Sequence, residues 1–227
     1  WDNLNYTKAF VQSIRKNTSL SYELIIVDNG SDFKTQKWVK ENADNSLIFP
    51  ENQGFSKGFN EGIKMAKCEY IMLANNDTEF PPDWDTKLVE TMEANPMAGI
   101  VSPVYTNGRK SALRQKPKNN ILKIFPFRKY PSAVAFFMRR EEYLNIFGGY
   151  SEEYEIASGE DADYCYQVWS KNFDILIDER VLVKHVGKVT TSSKIPEWRK
   201  LWKKNGKKFR RKWLLYYYFK PLARLYL

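Results

Sequence analysis

The sequence has few residues that bind metals through sulfur or nitrogen. Its 227 residues include two cysteines, Cys68 and Cys165, and one histidine, His185. The two cysteines have neither a metal-binding nor a redox spacing, and a disulfide framework would need more of them. We therefore expect two reduced thiols packed inside a cytoplasmic protein.

Long hydrophobic runs are also absent. The longest apolar stretches, ELIIVD (23–28) and EYIMLA (69–74), are far shorter than the roughly 20 residues that a membrane-spanning helix needs. No signal peptide opens the chain, and no internal repeat is present. With 43% hydrophobic and 28% charged residues, the composition is that of a globular protein, and the length favours one domain.

Charge is distributed unevenly along the chain. From Lys184 to Leu227 there are 14 Lys or Arg and one acidic residue, a net charge of +13. The first 183 residues carry 22 basic and 26 acidic residues, a net charge of −4, which gives +9 for the whole chain. Such an asymmetry indicates the kind of partner rather than the fold.

Short apolar runs alternate with amphipathic segments of about a dozen residues over the first hundred positions. This alternation is typical of βαβ units and predicts an α/β fold with a mostly parallel sheet flanked by helices. Predicted helices include 4–17, 55–67, 83–95, 140–149 and 160–171, with a further helix around Trp38 capped by Ser31 or Asp32. Predicted strands are 22–28, 46–50, 69–74, 99–105, 132–139, 173–178 and 180–186. The polar, basic segment 106–128 is predicted to be a long loop.

Polar side chains follow two of the predicted strands. Asp28 ends one strand, and Asn75-Asn76-Asp77 ends another. Open α/β sheets bind ligands at the carboxyl ends of their strands, where these groups suit a nucleobase, a ribose and a divalent cation held by Asp77. Ordinary turns, in which Asp and Asn bond their own backbone, are the structural alternative. Two such strand ends together favour the ligand site.

Three further groups of polar residues are candidates for a site. In GFSKGFNEG the glycines lie four residues apart. They either bring the backbone close to a bound nucleotide, with Asn52, Lys57 and Asn60 as polar contacts, or allow close packing of a helix. Glu160, Asp161 and Asp163 open a helix, where acids are favoured electrostatically, but three together also suit a general base with a raised pKa. His185 ends an apolar strand, so a metal or phosphate role competes with simple packing.

Six motifs, in this order, resemble family 2 glycosyltransferases: ELIIVDNGS, ENQGFSKGFNEGI, EYIMLANNDT, FGGYSEEY, GEDADYCYQ and VLVKHVG. The likeness is greatest to the branch with bacterial rhamnosyltransferases and covers residues 1 to about 213. It implies a GT-A fold with a Rossmann-like, nucleotide-binding sheet. We accordingly expect a domain over 1–193, with a nucleotide-binding half (1–104) and an acceptor-binding half (105–193), followed by a basic amphipathic helical tail (194–227).

The resemblance implies roles for the donor side of the site. Asp28 is similar to the aspartate that contacts the donor base. Asn75-Asn76-Asp77 stands at the family's Asp-x-Asp position, with Asp77 binding Mg²⁺ or Mn²⁺. His185 matches the histidine near the metal and the diphosphate. The donor is then a UDP- or dTDP-linked sugar.

On the acceptor side, the resemblance implies that Asp161 is the catalytic base, with Glu160 and Gly149 in the acceptor site. The reaction is an inverting displacement onto a hydroxyl of a glycan or lipid-linked saccharide in cell-surface polysaccharide synthesis. Two departures from the family pattern stand out. Asn75 replaces the first aspartate of Asp-x-Asp, and a strand that precedes Trp1 in the family is absent, which suggests a trimmed sequence.

The basic tail interleaves Lys and Arg with Trp, Phe, Tyr and Leu. This pattern suits an anionic membrane surface and predicts a cytoplasmic enzyme peripheral to the inner face of the plasma membrane. Packing of the tail on the body is the alternative, and nucleic-acid binding is not expected because no nucleic-acid module precedes it. The alternative functions are a metal-dependent nucleotidyltransferase and a non-catalytic glycan- or membrane-binding module.

Overall fold

The computed structural model describes residues 1–107, 116–124, 130–154, 158–187 and 197–223. Helices alternate with strands through the first half of the chain. The helices are α1 (Leu4–Asn17), α2 (Phe33–Asn42), α3 (Phe55–Met65), α4 (Trp84–Ala94), α5 (Glu160–Ser170) and α6 (Trp198–Ala223). The strands are β1 (Ile25–Asn29), β2 (Asn45–Phe49), β3 (Tyr70–Ala74), β4 (Thr78–Glu79), β5 (Ala98–Asn107), β6 (Ile121–Ile124), β7 (Ala135–Arg139) and β8 (Asp174–His185). One helical turn, Arg140–Glu142, continues into a π-helix, Tyr143–Phe147.

The strands form two sheets. β1 and β2 pair in parallel, and a six-stranded sheet has the order β3-β7-β5-β8-β4 with β6 also paired to β8. In the larger sheet only β5 and β8 are parallel, and the other four pairs are antiparallel. The α/β class is therefore confirmed, whereas the sheet is mixed rather than mostly parallel because β7 lies antiparallel between β3 and β5.

Two sequence-based assignments in the second half of the chain are wrong. The predicted loop 106–128 contains β6, and β5 extends to Asn107; positions 108–115 and 125–129 of that prediction lie outside the described residues. The two predicted closing strands are one strand, β8. Its pairing with β5 jumps from Asp178 to Leu182, so a bulge accommodates the polar residues that separated the two apolar runs.

Most helix predictions are confirmed, and local chemistry explains the start of α2. α1 has the predicted bounds. α2 is capped by Asp32, whose carboxylate accepts a hydrogen bond from the Thr35 N–H at 2.7 Å, and not by Ser31. α4 buries Trp84, Leu88 and Met92, four residues apart, as expected of a helix with one core-facing side.

The core consists of two hydrophobic clusters on opposite faces of the larger sheet. β7 contributes to both, because alternate side chains of a strand point to opposite faces. Phe136 and Met138 join the cluster under α3 and α5, whereas Ala135 and Phe137 join the cluster under α1 and α4. The first of these clusters packs α5 against the larger sheet.

The tail predicted for 194–227 contains α6, and its apolar side packs on the body. Phe209 and Trp213 contact Tyr166 of α5, with ring centroids 5.1 and 5.5 Å apart. No helix in the described part of the chain is both long and apolar enough to span a bilayer. Both cysteines are free; Cys165 is buried as predicted, but Cys68 is exposed.

β1 and β3 each have one edge without a strand partner among the described residues. The two edges border the same cavity, which Ile26 and Val27 line on one side and Ile71 and Leu73 on the other. The additional strand expected before Trp1 stays a prediction.

Candidate active site

A cavity of about 1250 Å³ extends past the carboxyl ends of β1 and β3 to the amino end of α5. Most of the residues predicted for a site line its wall, although they come from distant parts of the sequence. These residues are Asp28, Asn52, Asn75, Asn76, Asp77, Glu160, Asp161 and His185. The fold therefore brings the predicted donor-side and acceptor-side groups into one cavity.

Asp28 lies at the end of β1, where it is only 3% exposed. Its Oδ1 accepts a hydrogen bond from the Ser31 N–H at 2.9 Å, so it forms the turn as well as lining the cavity. Gly30 makes this turn possible: its φ is +78°, and a Cβ there would lie 2.6 Å from the backbone of Glu51. The turn fixes the carboxylate at the sheet edge.

The loop that carries Asn52 is held against β1 by Asn29. The Asn29 Nδ2 donates to Asn52 Oδ1 at 3.0 Å and to the Gly54 carbonyl at 2.9 Å. Its Oδ1 accepts from the Gln53 N–H at 2.7 Å. Sequence reasoning treated Asn29 only as part of a turn, although its place beside Asp28 at a strand end was a usable signal.

Asp77 and His185 face each other across the short β4–β8 pairing. The His185 Nε2 lies 3.4 Å from the Asp77 Oδ1, and both side chains are 13% exposed. The Asp77 Oδ2 also accepts a hydrogen bond from the Gly187 N–H at 3.1 Å. The neighbouring Asn76 is tied to α1 through its Nδ2, which donates to the Thr7 hydroxyl at 2.9 Å.

The residues around Asp77 fit a divalent cation that is completed by its substrate. Within the described residues no cluster of three or more His, Cys, Asp or Glu could hold a metal by itself. Asp77 and His185 supply one carboxylate and one imidazole, and the buried His185 Nδ1 has no hydrogen-bond partner among the described atoms. Mg²⁺ typically uses one or two protein carboxylates and takes phosphates and waters as its other ligands.

Glu160 and Asp161 stand together at the amino end of α5. Burial, with the adjacent Asp161 carboxylate, raises the pKa of Glu160 to about 8. Burial also raises the pKa of Asp161, although hydrogen bonds from the Ala162 N–H and the Ser132 hydroxyl oppose that rise. A carboxylate with a raised pKa accepts protons well near neutral pH, as a general base must.

Asp163, the third acid of this helix, has a structural function. It is fully buried, and four donors surround its carboxylate. Tyr154 and Trp213 donate to Oδ1 at 2.9 and 2.7 Å, and Gln167 and Lys212 donate to Oδ2 at 2.6 and 2.9 Å. A carboxylate saturated in this way is unsuited to taking a proton from a substrate.

Three predicted site residues do not line the cavity. Lys57 donates to the Gln53 Oε1 at 3.2 Å. Asn60 accepts from the Tyr143 hydroxyl at 2.6 Å and from the Tyr150 N–H at 2.9 Å, so it ties α3 to the segment after the π-helix. Gly149 lies against Asn60, whose Oδ1 would be 2.9 Å from a Cβ at that position. Packing, the alternative considered for GFSKGFNEG, describes the contacts of Asn60, and Gly149 packs against it.

Sequence reasoning missed two parts of the cavity wall. Ser132, just before β7, contacts Asp161, and its N–H donates to the Tyr105 hydroxyl at 3.1 Å. α6 supplies the other part, including Trp202 and Arg210. Neither had a sequence signal, because a single serine in a loop and an exposed face of a basic helix are common in any globular protein.

Comparisons with known proteins agree with this architecture. The model of the family "Glycosyl transferase family 2" matches residues 2–151. Poly-beta-1,6-N-acetyl-D-glucosamine synthase of Staphylococcus epidermidis is 31% identical over 105 residues, which are 43% of this chain and 26% of that protein. The same enzyme of Staphylococcus aureus is 29% identical over 105 residues, with the same coverage. The chain thus spans about a quarter of the length of these relatives.

Solved structures share the fold at low identity. The crystal structure of GalNAc-T7 with UDP, GalNAc and Mn²⁺ has a TM-score of 0.68 at 16% identity, covering 89% of this chain and 44% of that one. A crystal structure of S. aureus TarS (1-349) has a TM-score of 0.63 at 16% identity, covering 80% of this chain and 58% of that one. Both similarities support the GT-A fold.

Proposed function

Because the chain belongs to glycosyl transferase family 2, we propose that it transfers a sugar from a nucleotide-diphosphate donor to a hydroxyl of a glycan or lipid-linked saccharide, with inversion at the anomeric carbon. One observation carries the proposal. Asp28 and Asp77, at strand ends, share a single cavity with Glu160 and Asp161, whose pKa values are raised. The residues proposed for the donor site and for the general base thus line one space, as a displacement in a single step requires.

The donor side would bind the nucleotide along the strand ends. Asp28 would accept hydrogen bonds from the base or ribose, and Asn52, Asn75 and Asn76 would supply further polar contacts. Asp77 and His185 would hold Mg²⁺ or Mn²⁺, which when bound would offset negative charge on the donor's diphosphate. The related GalNAc-T7 structure, with UDP and Mn²⁺, supports this arrangement by analogy of fold.

The acceptor side would use the carboxylate pair. As the acceptor oxygen forms its bond to the anomeric carbon, its proton passes to Asp161, and the bond from that carbon to the phosphate oxygen breaks with its electron pair leaving on the nucleotide diphosphate. Burial raises the basicity of Asp161, and burial together with the Asp161 carboxylate raises the pKa of Glu160 to about 8. Proton transfer to a positioned carboxylate typically contributes about 10²–10⁴-fold. No nucleophilic side chain is needed.

The substrates are proposed at two levels. The poly-N-acetylglucosamine synthases matched by this chain favour cell-surface polysaccharide synthesis. The motif resemblance favours the rhamnosyltransferase-like branch with a UDP- or dTDP-linked donor. For the basic region 194–227 we propose contact with an anionic membrane surface, which would place the enzyme at the cytoplasmic side, close to a lipid-linked acceptor.

Calorimetric titration of UDP and dTDP, with and without Mn²⁺, tests the donor site. We expect metal-dependent binding of at least one nucleotide, and we expect Asp77→Ala to abolish the metal dependence because it removes the only carboxylate of the cation site. Asp161→Asn is the matched control: it removes a carboxylate from the acceptor side and should leave nucleotide affinity within about twofold, a change of less than 0.5 kcal/mol. Nucleotide binding that ignores both Mn²⁺ and Asp77→Ala would contradict the assigned site.

A further inference from the structure

One wall of the cavity comes from α6, a helix that the donor and base assignments do not use. Trp202, Gly206 and Arg210 line the cavity together with Glu160 and Asp161. The three positions are four residues apart, so they lie on one side of the helix. This side of α6 therefore borders the same space as the proposed base.

Contacts to the segment just before α5 hold α6 in this position. The Asn205 Nδ2 donates to the Ser158 carbonyl at 2.8 Å, and Asn205 is fully buried. The Lys208 Nζ donates to the Glu153 carbonyl. Further along, Lys212 and Trp213 bond the buried Asp163 carboxylate. Because these contacts flank the turn at Gly159, α6 is fixed beside the amino end of α5.

The cavity-facing side chains of α6, Trp202 and Arg210, are exposed. Trp202 is 57% exposed, an unusual position for a large aromatic side chain. Across the residues that the structure describes, Arg210 makes neither a hydrogen bond nor an ion pair, and its guanidinium lies 3.9 Å from where a Cβ on Gly206 would be. Gly206 itself leaves open space between the two side chains. One side of α6 thus presents to the cavity the aromatic ring of Trp202, a notch at Gly206 and the cation of Arg210.

We propose that this face of α6 is the acceptor subsite: Trp202 stacks on a pyranose ring, Gly206 leaves room for the ring, and Arg210 binds an anionic group of the acceptor, such as a phosphate. The inference rests on the proposed function, which it extends from the reaction to the acceptor class. Aromatic faces present apolar area with little conformational entropy to lose, and guanidinium binds phosphate through paired N–H groups. The acceptor hydroxyl would then extend toward Asp161.

The test measures saccharide binding and nucleotide binding separately. The probes are pentasaccharides of glucose, N-acetylglucosamine and rhamnose, each with and without a phosphate at the reducing end, titrated by ligand-observed NMR with and without UDP or dTDP and Mn²⁺. We expect wild-type protein to bind at least one series, with the phosphorylated form tighter. Trp202→Ala should weaken both forms about tenfold, the upper end of an aromatic contact. Arg210→Gln should remove only the advantage of the phosphorylated form.

Matched variants separate the subsite from general effects on the helix. Trp198→Ala removes the same side chain one turn earlier in α6, where it contacts Arg199 and does not line the cavity, and it should leave saccharide binding unchanged. Gly206→Ala should keep wild-type stability, since a Cβ there meets nothing closer than 3.9 Å, and it serves as the folding control at this position. Gly206→Phe should fill the notch and abolish saccharide binding while nucleotide affinity stays at its wild-type value.

Two results would overturn the subsite. One is wild-type protein that binds nucleotide but none of the saccharides; the other is saccharide binding that Trp202→Ala and Gly206→Phe leave unchanged. Failure of the proposed function gives a different result. Wild-type protein would then bind no nucleotide, but it would still bind saccharides, and Trp202→Ala would still weaken that binding. Saccharide binding in the absence of vesicles also distinguishes the subsite from a membrane-binding face, which would need only exposed aromatic and basic groups.

Discussion

At the scale of single residues, the proposed reaction depends on two adjacent carboxylates. Glu160 and Asp161 are partly withdrawn from water at the amino end of α5, which raises the pKa of both, and the Asp161 carboxylate raises the pKa of Glu160 further. A positive helix end normally stabilises such charges, but here burial outweighs it. The pair thus keeps a proton to higher pH than isolated carboxyl groups do, which suits proton transfer near neutral pH.

The raised pKa of Glu160 predicts a pH-dependent stability. Its pKa is about 8 in the folded chain and 4.5 by its ordinary value, so its contribution to the free energy of unfolding is complete below pH 4.5 and is lost as pH rises toward 8. The side chain of Glu160→Gln is neutral at every pH, so the free energy of unfolding of this variant does not fall for this reason. We expect the variant to gain stability relative to wild type steadily between pH 4.5 and 8, measured by urea unfolding.

Glu61→Gln is the matched control for this pH series. Glu61 pairs with Lys64 on the surface of α3, so the difference from wild type should be small and nearly constant with pH. A Glu160→Gln difference that is also constant, or one that shifts in favour of wild type as pH rises, would mean that Glu160 is charged in the folded chain throughout this range.

At the scale of elements, Asp163 links α5 to α6. Two of its four donors, Lys212 and Trp213, belong to α6. Asp163 is fully buried whereas Lys212 is partly exposed, so the main cost of removing the acid is that the Tyr154 hydroxyl and the Trp213 N–H lose their acceptor, about 1–3 kcal/mol for each unsatisfied group. Asp163→Ala should therefore lower the unfolding free energy by a few kcal/mol. Its amide hydrogen exchange should show α6 opening first, since that helix loses its fixed contact with α5.

Removal of an exposed acid provides the comparison for that variant. Glu61→Ala breaks only the surface ion pair with Lys64, so we expect a loss below about 1 kcal/mol and no change in exchange of α6. If Asp163→Ala left α6 exchange at the wild-type level, the apolar contacts of Phe209 and Trp213 with Tyr166 would be sufficient to hold the helix.

Elements with strong local signals could be predicted from the sequence. The periodicity of α1 and the Asp32 cap of α2 depend on neighbours in the chain, and both predictions are confirmed. β6 and β8 depend on distant partners: ILKI is too short to identify as a strand, and the bulge in β8 becomes visible only through its pairing with β5. The order and directions of the strands had no local signal.

Residues of the candidate site also divide into those with a local sequence signal and those whose position depends on distant contacts. Asp28 and Asp77 followed from their positions at strand ends, and both line the cavity. Asn60 has the same polar chemistry, but its amide is engaged by Tyr143 and Tyr150, contacts about 90 residues away in sequence. Trp202 was missed because its proximity to Glu160 arises from the docking of α6, which no spacing in the sequence encodes.

At the scale of the whole molecule, charge is separated between the body and α6. The helix contains ten Lys or Arg and no acidic residue, while the first 183 residues have a net charge of −4. Among the described side chains of α6, Lys208 and Lys212 form hydrogen bonds that dock the helix. The remaining exposed cations form a basic surface on the molecule.

This basic surface predicts salt-sensitive binding to anionic vesicles. Each Lys or Arg near such a surface adds about 1 kcal/mol. We expect replacement of Lys203, Lys207 and Arg211 by Gln to weaken binding by about two orders of magnitude, measured by flotation with phosphatidylcholine vesicles with and without phosphatidylglycerol. These three residues are exposed and do not line the cavity.

The control removes the same amount of charge from another surface helix. Lys34, Lys37 and Lys40 are exposed on α2, and their replacement by Gln should leave vesicle binding nearly unchanged. An equal loss in both triple variants would indicate that net charge alone matters. Protein that ignores anionic vesicles altogether would contradict membrane contact by this region.

The way in which α6 docks also affects how the specificity of such a chain can change by substitution. Asn205 and Lys208 bond backbone carbonyls, which every residue type provides, and the other anchors are the carboxylate of Asp163 and the ring of Tyr166. The positions that face the cavity, Trp202, Gly206 and Arg210, take no part in these anchoring bonds. Selection could therefore change the recognised sugar by substitutions on one side of a helix while its attachment stays constant. Exchanging 198–210 between related chains is then a direct route to new specificities.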